Sequence, residues 1–566
     1  MEDYFVSGRS FPWWVAGTSM VATTFAADTP LAVTSLMAKH GLAGNWFWWA
    51  FALGGMFTVF VYARLWRRTG VLTDVEFIEV RYGGAAAAFL RCFRAIYVAL
   101  LVNSIIIGWV TGAMLTVLKV LVLDNAADEL DSSLQDWWII FGLLAAVGVY
   151  STLSGLWGVA ITDVLQFVLA MGGSIALAVI AVDAVGGVDS LQSAVSAKFP
   201  GGEQAFSYLP QVSGQQAWMT VDVFLLMLFV QWWATWYPGA EPGGGGYIVQ
   251  RMASCKDERH ALLATLWFQV AHYCVRPWPW LMISFVALAT YDLPEMQNPG
   301  QGFALVIRDF SKPGLRGLML VTFFAAFMST ISTQINWGAS YLVNDVYKRF
   351  LHRDATEQRL TLMSRIASVA VLLVGAVAAF RMKDVSVDEA WKFLAALGAG
   401  TGAVFMLRWF WWRINAWTEI SAMVVSLGAF FVVQQLAARE DAAWFLAKSE
   451  YRMAIVALVT IPTWLLVTML TRPENQETLI AFYRLAKPGG PGWKPVADQV
   501  PDVEPDANLG ISILAALVGG LMIYLTIPGI GALILGPWVQ AAACLGAAAG
   551  CAIVLGLMLP RILKGG

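Results

Sequence analysis

The stretch ATTFAADTP, residues 22–30, lies inside an apolar run from about Phe11 to Met37. Two threonines, an aspartate and a proline sit where a membrane-crossing helix would be at mid-depth. Proline removes one helical hydrogen bond and clashes with the preceding turn. In lipid, backbone groups released this way are tolerated only where protein or a water-filled cavity satisfies them. The stretch therefore predicts an unwound point in a membrane helix, turned toward the protein interior. A plain proline kink, with the threonines bonded back to their own helix, is the competing reading.

The rest of the chain supports a membrane setting. Its 566 residues are 58% hydrophobic and 13% charged, with a mean hydropathy of +0.65. A soluble protein would carry about a quarter charged residues. Apolar runs long enough to span a bilayer recur along the whole length, and Trp and Phe are abundant, as at membrane interfaces. The fold class is thus an all-α polytopic membrane protein. A net charge of −2 and the lack of a basic tract leave no case for nucleic acid as partner. No CxxC pair, metal-binding histidine motif, phosphate loop or nucleophile–base pair is visible, so an enzyme is disfavoured, and no organic cofactor or obligate protein partner is indicated.

Hydropathy predicts fourteen spans, at about 13–38, 44–65, 91–120, 136–153, 158–184, 217–237, 260–290, 314–345, 362–381, 387–411, 416–438, 450–471, 508–529 and 533–559. With the N-terminus inside, Arg64, Arg67, Arg68, Arg81, Arg251, Lys256, Arg259, Lys348, Arg349, Arg413, Arg561 and Lys564 all fall on the cytoplasmic side, and the acidic loop 124–136 falls outside. Both termini are expected in the cytoplasm, with a bacterial inner membrane as the setting. PGAEPGGGG (238–246) reads as a flexible turn, 185–216 as an external excursion with a short surface helix, and 472–507 as a polar cytoplasmic linker before two final spans at 508–559.

Discontinuous helices near the midplane are where secondary transporters hold substrate and coupling ion. The eighth span supplies a possible partner for such a break. Ala326, Ser329, Thr330 and Thr333 fall at i, i+3, i+4 and i+7, on one helical face. A stripe of small hydroxyl residues serves helix packing. It equally supplies the neutral oxygens that a hard cation such as Na⁺ takes as ligands.

DYFVSGRSFPWW (3–14), the ATTFAADT that follows, SGLWGVAITDVLQ (154–166) and MSTISTQINWGASYLVNDVYKRF (328–350) together resemble the sodium/solute symporter family over about residues 3–413. The resemblance implies a LeuT-type fold of two inverted five-helix repeats, here 13–184 and 217–411, followed by spans at 416–471 and the C-terminal helices. Members usually carry one more helix before DYF, so the chain is expected to be shortened or to begin at a late start codon. The resemblance also implies a sodium site from the backbone carbonyls of Ala22, Phe25 and Ala326 and the hydroxyls of Ser329 and Thr330. Some members have a second sodium site, which would match Asp163, Ser332 and Thr333. A structural carboxylate at the membrane interface is the alternative for Asp163.

Intramembrane charges are rare and usually functional. Asp28 and Arg276 stand at comparable depth in the first and seventh spans. Two readings are open: an ion pair joining the repeats, or charges that bind the polar ends of a solute. Thr23, Thr24, Asn103, Gln231, Trp232 and Trp233 are candidate wall residues; Trp236 and Tyr237 fit an interfacial belt equally well. The glutamine that sugar carriers of the family place in the tenth helix is absent, with Trp391 and Lys392 in its place, which counts against a glucose-type solute. The function implied is Na⁺-coupled symport of a small polar organic solute, sugar-like or carboxylate-bearing, by alternating access. A membrane solute sensor on the same fold, or proton coupling through Asp28 or Asp163, are the alternatives.

Overall fold

The computed structural model describes residues 6–123, 133–153, 156–212, 219–234, 243–383 and 385–564. Among these residues every named element is helical, and helices occupy each of the fourteen expected spans. Nine are long and apolar enough to cross a membrane by length and composition. Large apolar side chains such as Leu165, Val168, Val179, Leu373, Leu466 and Leu557 stay exposed on these helices, as expected where the surrounding solvent is lipid.

The first span is broken where its sequence predicts. One helix runs Trp13–Thr24 and a second Thr29–His40, with Pro30 in its first turn. Phe25 leaves helical geometry at ψ 64°. The Trp13–Thr24 half packs against the fifth span, Leu156–Ala184, and against Glu258–Val270 of the seventh; the eighth, Pro313–Ser340, closes the other side. Gly17 makes the contact with the seventh span possible. A Cβ there would lie 2.5 Å from the Ala264 carbonyl oxygen and 2.9 Å from the Trp267 ring. Gly17→Val is therefore expected to push the first and seventh spans apart at a cost of about 1–3 kcal/mol, typical of overpacking, read as a lowered unfolding temperature in detergent.

The seventh and tenth spans are among those that differ from the sequence reading. The seventh widens into a π-turn, Ala271–Val275, before resuming at Pro277–Thr290. Pro277 has no N–H to give, and the Arg276 N–H reaches back five residues to the Ala271 carbonyl at 3.0 Å. The tenth, expected as one helix over 387–411, divides into Val387–Gly398 and Gly402–Leu407. At the turn, Gly400 donates to the Ser426 hydroxyl at 3.2 Å, and a Cβ on it would lie 2.4 Å from the Thr460 side chain.

Segment 472–507 is not a free linker. It folds into a helix, Gln476–Ala486, and two short turns, Pro491–Trp493 and Lys494–Ala497. Phe482 and Trp493 are buried and stacked at 5.3 Å, and the Trp493 indole N–H donates to the Trp409 carbonyl at 2.8 Å. The Arg81 guanidinium lies 4.9 Å from the Trp493 ring. Glu474 accepts from the backbone N–H of Gly83 (2.8 Å) and of Ala416 (3.1 Å), the starts of the third and eleventh spans. Apolar burial and charged helix caps bind a segment that composition marks as polar. A helix over Gly187–Lys198 forms the expected excursion, with Leu191 and Val195 buried. Most of the turn at 238–246 and of the acidic loop lies outside the described residues.

Candidate functional site

An unbroken helix would give the Thr23 and Thr24 carbonyls to the N–H groups of Ala27 and Asp28. The break takes those partners away, and side chains from other spans replace them. Thr330 Oγ1 donates to the Thr23 carbonyl at 3.1 Å and lies 3.0 Å from the Ala326 carbonyl. The Thr24 carbonyl accepts from Arg276 Nη1 and, at 3.3 Å, from Thr29 Oγ1. The first span's gap and the eighth span's hydroxyl face thus touch. Ala22 and Phe25 were the expected carbonyl donors, but the helix continues to Thr24, so the Ala22 carbonyl is engaged by the Phe25 N–H at 3.0 Å. The Phe25 ring packs on Trp280 at 4.6 Å.

A hydroxyl has one proton and two lone pairs. Thr330 stands between two carbonyls, so its proton can turn to Ala326 while its oxygen and the Thr23 carbonyl face a cation. Ser329 donates to Asp163 Oδ1 at 2.5 Å, and Ser19 to Asp163 Oδ2 at 2.6 Å. A buried carboxylate therefore stands directly behind the hydroxyl face.

The expected second set does not assemble as an oxygen cage. Ser332 turns back to the Ser329 carbonyl at 3.1 Å. Thr333 accepts from Arg251 Nη2 at 3.1 Å, and Arg251 Nε reaches Ser19 Oγ at 3.4 Å. A buried guanidinium thus occupies the space beside Thr333, while Ser329, expected in the first set, is the residue that meets Asp163.

On the other side of the break, Asp28 accepts from the Trp391 indole N–H at 3.2 Å. Arg276 Nη1 also donates to Thr24 Oγ1 at 3.0 Å, and Nη2 lies 3.2 Å from His272 Nε2. The hydrogen-bond partners of the two intramembrane charges thus differ. Of the candidate wall residues, Thr24, Asp28 and Arg276 gather at the break. Thr23 bonds back to Ser19 of its own helix at 2.9 Å. Asn103 donates to the Gln334 carbonyl at 2.6 Å and Gln231 to the Phe47 carbonyl at 2.6 Å, so each links two spans. Trp232 stacks on Phe57 at 5.2 Å, and Trp233 donates to the Phe229 carbonyl one turn back. Trp236 and Tyr237 lie outside the described residues.

The family model "Sodium:solute symporter family" matches residues 4–426. The chain belongs to the sodium:solute symporter family. The symporter is 24% identical over 446 residues to a sodium/glucose cotransporter of Vibrio parahaemolyticus, covering 75% of this chain and 78% of that protein. It is 24% identical over 447 residues to sodium/glucose cotransporter 1 of Mus musculus, covering 73% of this chain and 64% of that one. To the sodium/myo-inositol cotransporter 2 of Homo sapiens it is 22% identical over 522 residues, covering 84% of this chain and 73% of that one. A solved structure of a Na⁺-coupled sialic acid symporter in a substrate-bound outward-open state matches with a TM-score of 0.62 at 20% identity, over 84% of this chain and 93% of that one. The symporter has the LeuT-type fold with additional C-terminal helices. Membership supports an integral membrane protein that carries small solutes with Na⁺ as coupling ion, rather than an enzyme.

Three residues of the site escape sequence reasoning, Ser19, Arg251 and His272, while Trp391 enters it only as the residue standing where sugar carriers of the family place a glutamine. His272 and Arg276 are four apart on one helix, a spacing that places them on one face. Ser19 and Arg251 carry no such signal, because what makes them notable is their approach to Asp163 and Thr333 across three spans.

Proposed function

We propose that the symporter imports a small polar organic solute, sugar-like or carboxylate-bearing, driven by Na⁺ through alternating access. The carrying observation is the 3.1 Å bond from the Thr330 hydroxyl to the Thr23 carbonyl. In this reading Na⁺ replaces that proton and sits between the first and eighth spans, with Ser329 and Asp163 behind it. The solute binds on the Asp28 side, where Trp391 meets Asp28 and Trp280 lies against Phe25 and Arg276. Relatives named for glucose and myo-inositol support the sugar-like end of the range.

Contacts at both ends of the first span fit an occluded stage of the cycle. At one end Ser35 (3.0 Å) and Lys39 (2.8 Å) hold Asp388, which also pairs with Lys392 at 3.4 Å. At the other, Ser19, Asp163, Arg251 and Thr333 close the helices together. Two basic residues expected in the cytoplasm share one cluster: Arg64 and Arg68 with Glu258 at 3.2 and 2.9 Å, and Arg64 with the Ile562 carbonyl. With basic residues favouring the cytoplasmic face, this supports a cytoplasmic end for the last span. One Na⁺ moving inward gains about 2.3 kcal/mol per 100 mV. A tenfold gradient adds about 1.4 kcal/mol, so full coupling sustains a solute gradient of about a few hundredfold.

A thermal-shift screen of sugars, polyols and carboxylic acids, in NaCl and in choline chloride, tests the proposal. A ligand that binds the folded state raises the melting temperature, and linked binding is expected to show as stabilisation by solute that requires Na⁺. Equal stabilisation in both salts would exclude sodium coupling.

A further inference from the structure

The seventh span holds a group that the proposed cycle does not use. Arg276 gives two hydrogen bonds to one residue of the first-span break, to the carbonyl and the hydroxyl of Thr24. His272 closes the triangle. Its Nε2 lies 3.2 Å from Arg276 Nη2 and its Nδ1 lies 3.0 Å from Thr24 Oγ1. A guanidinium has only donors, so His272 Nε2 accepts and the imidazole is neutral with its proton on Nδ1. Thr24 Oγ1 in turn donates to the Val21 carbonyl at 2.9 Å. All three residues are buried or nearly so, and the ring sits among Trp48, Phe268 and Tyr273.

We infer that Arg276 and His272 are a permanent clamp on the break, positioning residues for the sodium site rather than ligands of the solute. The inference rests on the sodium reading above. Thr23 and Thr24 are consecutive, so fixing the Thr24 carbonyl restricts the peptide plane before it. That plane carries the Thr23 carbonyl, which faces Thr330. A break left to rotate would present this oxygen only part of the time, and Na⁺ would bind only that fraction of molecules. His272 acts through Arg276: it accepts from one nitrogen of the fork and so sets the plane of the guanidinium.

The test uses Na⁺ alone, with the full chain in detergent, titrating NaCl against choline chloride at constant ionic strength and reading melting temperature and tryptophan fluorescence. His272→Leu keeps the bulk and the apolar surroundings but removes both polar atoms. It is expected to raise the half-saturating Na⁺ concentration about tenfold, the effect of losing one charge-assisted hydrogen bond. His272→Gln supplies an acceptor for Arg276 and a donor for Thr24, and is expected to recover most of the loss. A His272→Leu protein with unchanged Na⁺ response overturns the clamp, as does a His272→Gln protein as impaired as the leucine variant. If His272→Leu does not fold, the glutamine variant still decides, since the clamp requires its Na⁺ response to stay within about threefold of the parent. A parent protein that shows no response to Na⁺ would instead remove the sodium reading itself.

Discussion

Replacing Ser329 and Thr330 together by alanine is expected to raise the Na⁺ needed for half-maximal uptake by tenfold or more. Thr330 is the only described side chain of the eighth span that bonds the Thr23 carbonyl. Its loss removes an oxygen of the proposed sodium site and leaves that carbonyl without its hydroxyl donor. Ser329 gives Asp163 one of its two serine hydrogen bonds, 2.5 Å against 2.6 Å from Ser19. Hydrogen bonds to charged groups contribute about 1.5–3 kcal/mol, and each 1.4 kcal/mol is tenfold in binding. The two losses are adjacent and so do not simply add; tenfold is the lower bound. Ser332→Ala is the control, because its hydroxyl turns to the Ser329 carbonyl and away from the break. Uptake of radiolabelled solute into proteoliposomes over a series of Na⁺ gradients reads both. An unaltered Na⁺ demand in the double variant would place the ion elsewhere.

The largest stability effect is expected outside the membrane core, from Trp493→Ala. Trp493 is 1% exposed. Its ring stacks on Phe482, meets the Arg81 guanidinium, and donates through its indole nitrogen to the Trp409 carbonyl. Truncating a buried aromatic to alanine costs about 3–5 kcal/mol, and here a backbone acceptor and a cation lose their partner in addition. Unfolding in detergent should therefore start at a markedly lower temperature. Trp444→Ala, at 73% exposure, should change it little. A Trp493→Ala protein as stable as its parent would show that segment 472–507 contributes nothing to the folded core.

These two sites show what was legible in the sequence. The break at Thr24–Thr29 and the stripe from Ala326 to Thr333 rest on local chemistry: proline where a helix needs a donor, and hydroxyls at helical spacing in an apolar span. Both can be read in one dimension, and so can the spans, whose period and length lipid imposes. The partner of each polar group is not local. The family resemblance sets Asp163 with Ser332 and Thr333, but folding brings Arg251 to Thr333 and Ser19 and Ser329 to Asp163, across separations of 82, 144 and 166 residues. Segment 472–507 reads as a linker because its apolar residues are few; Phe482 and Trp493 succeed through complementary rings at Phe77 and Trp409, which no periodicity reveals. The Asn103 and Gln231 amides look like pocket walls when met alone. Each has its donor placed on a carbonyl of another span, since a buried amide without a partner is costly in any low-dielectric interior.

Glu474 carries a consequence for how the machine moves. One carboxylate, with an oxygen on each N–H, ties the start of the third span to the start of the eleventh. Because both bonds end on one planar carboxylate, the helix starts keep their spacing as long as both bonds hold. On the alternating-access proposal, the starts of the third and eleventh spans are expected to travel together while both bonds hold.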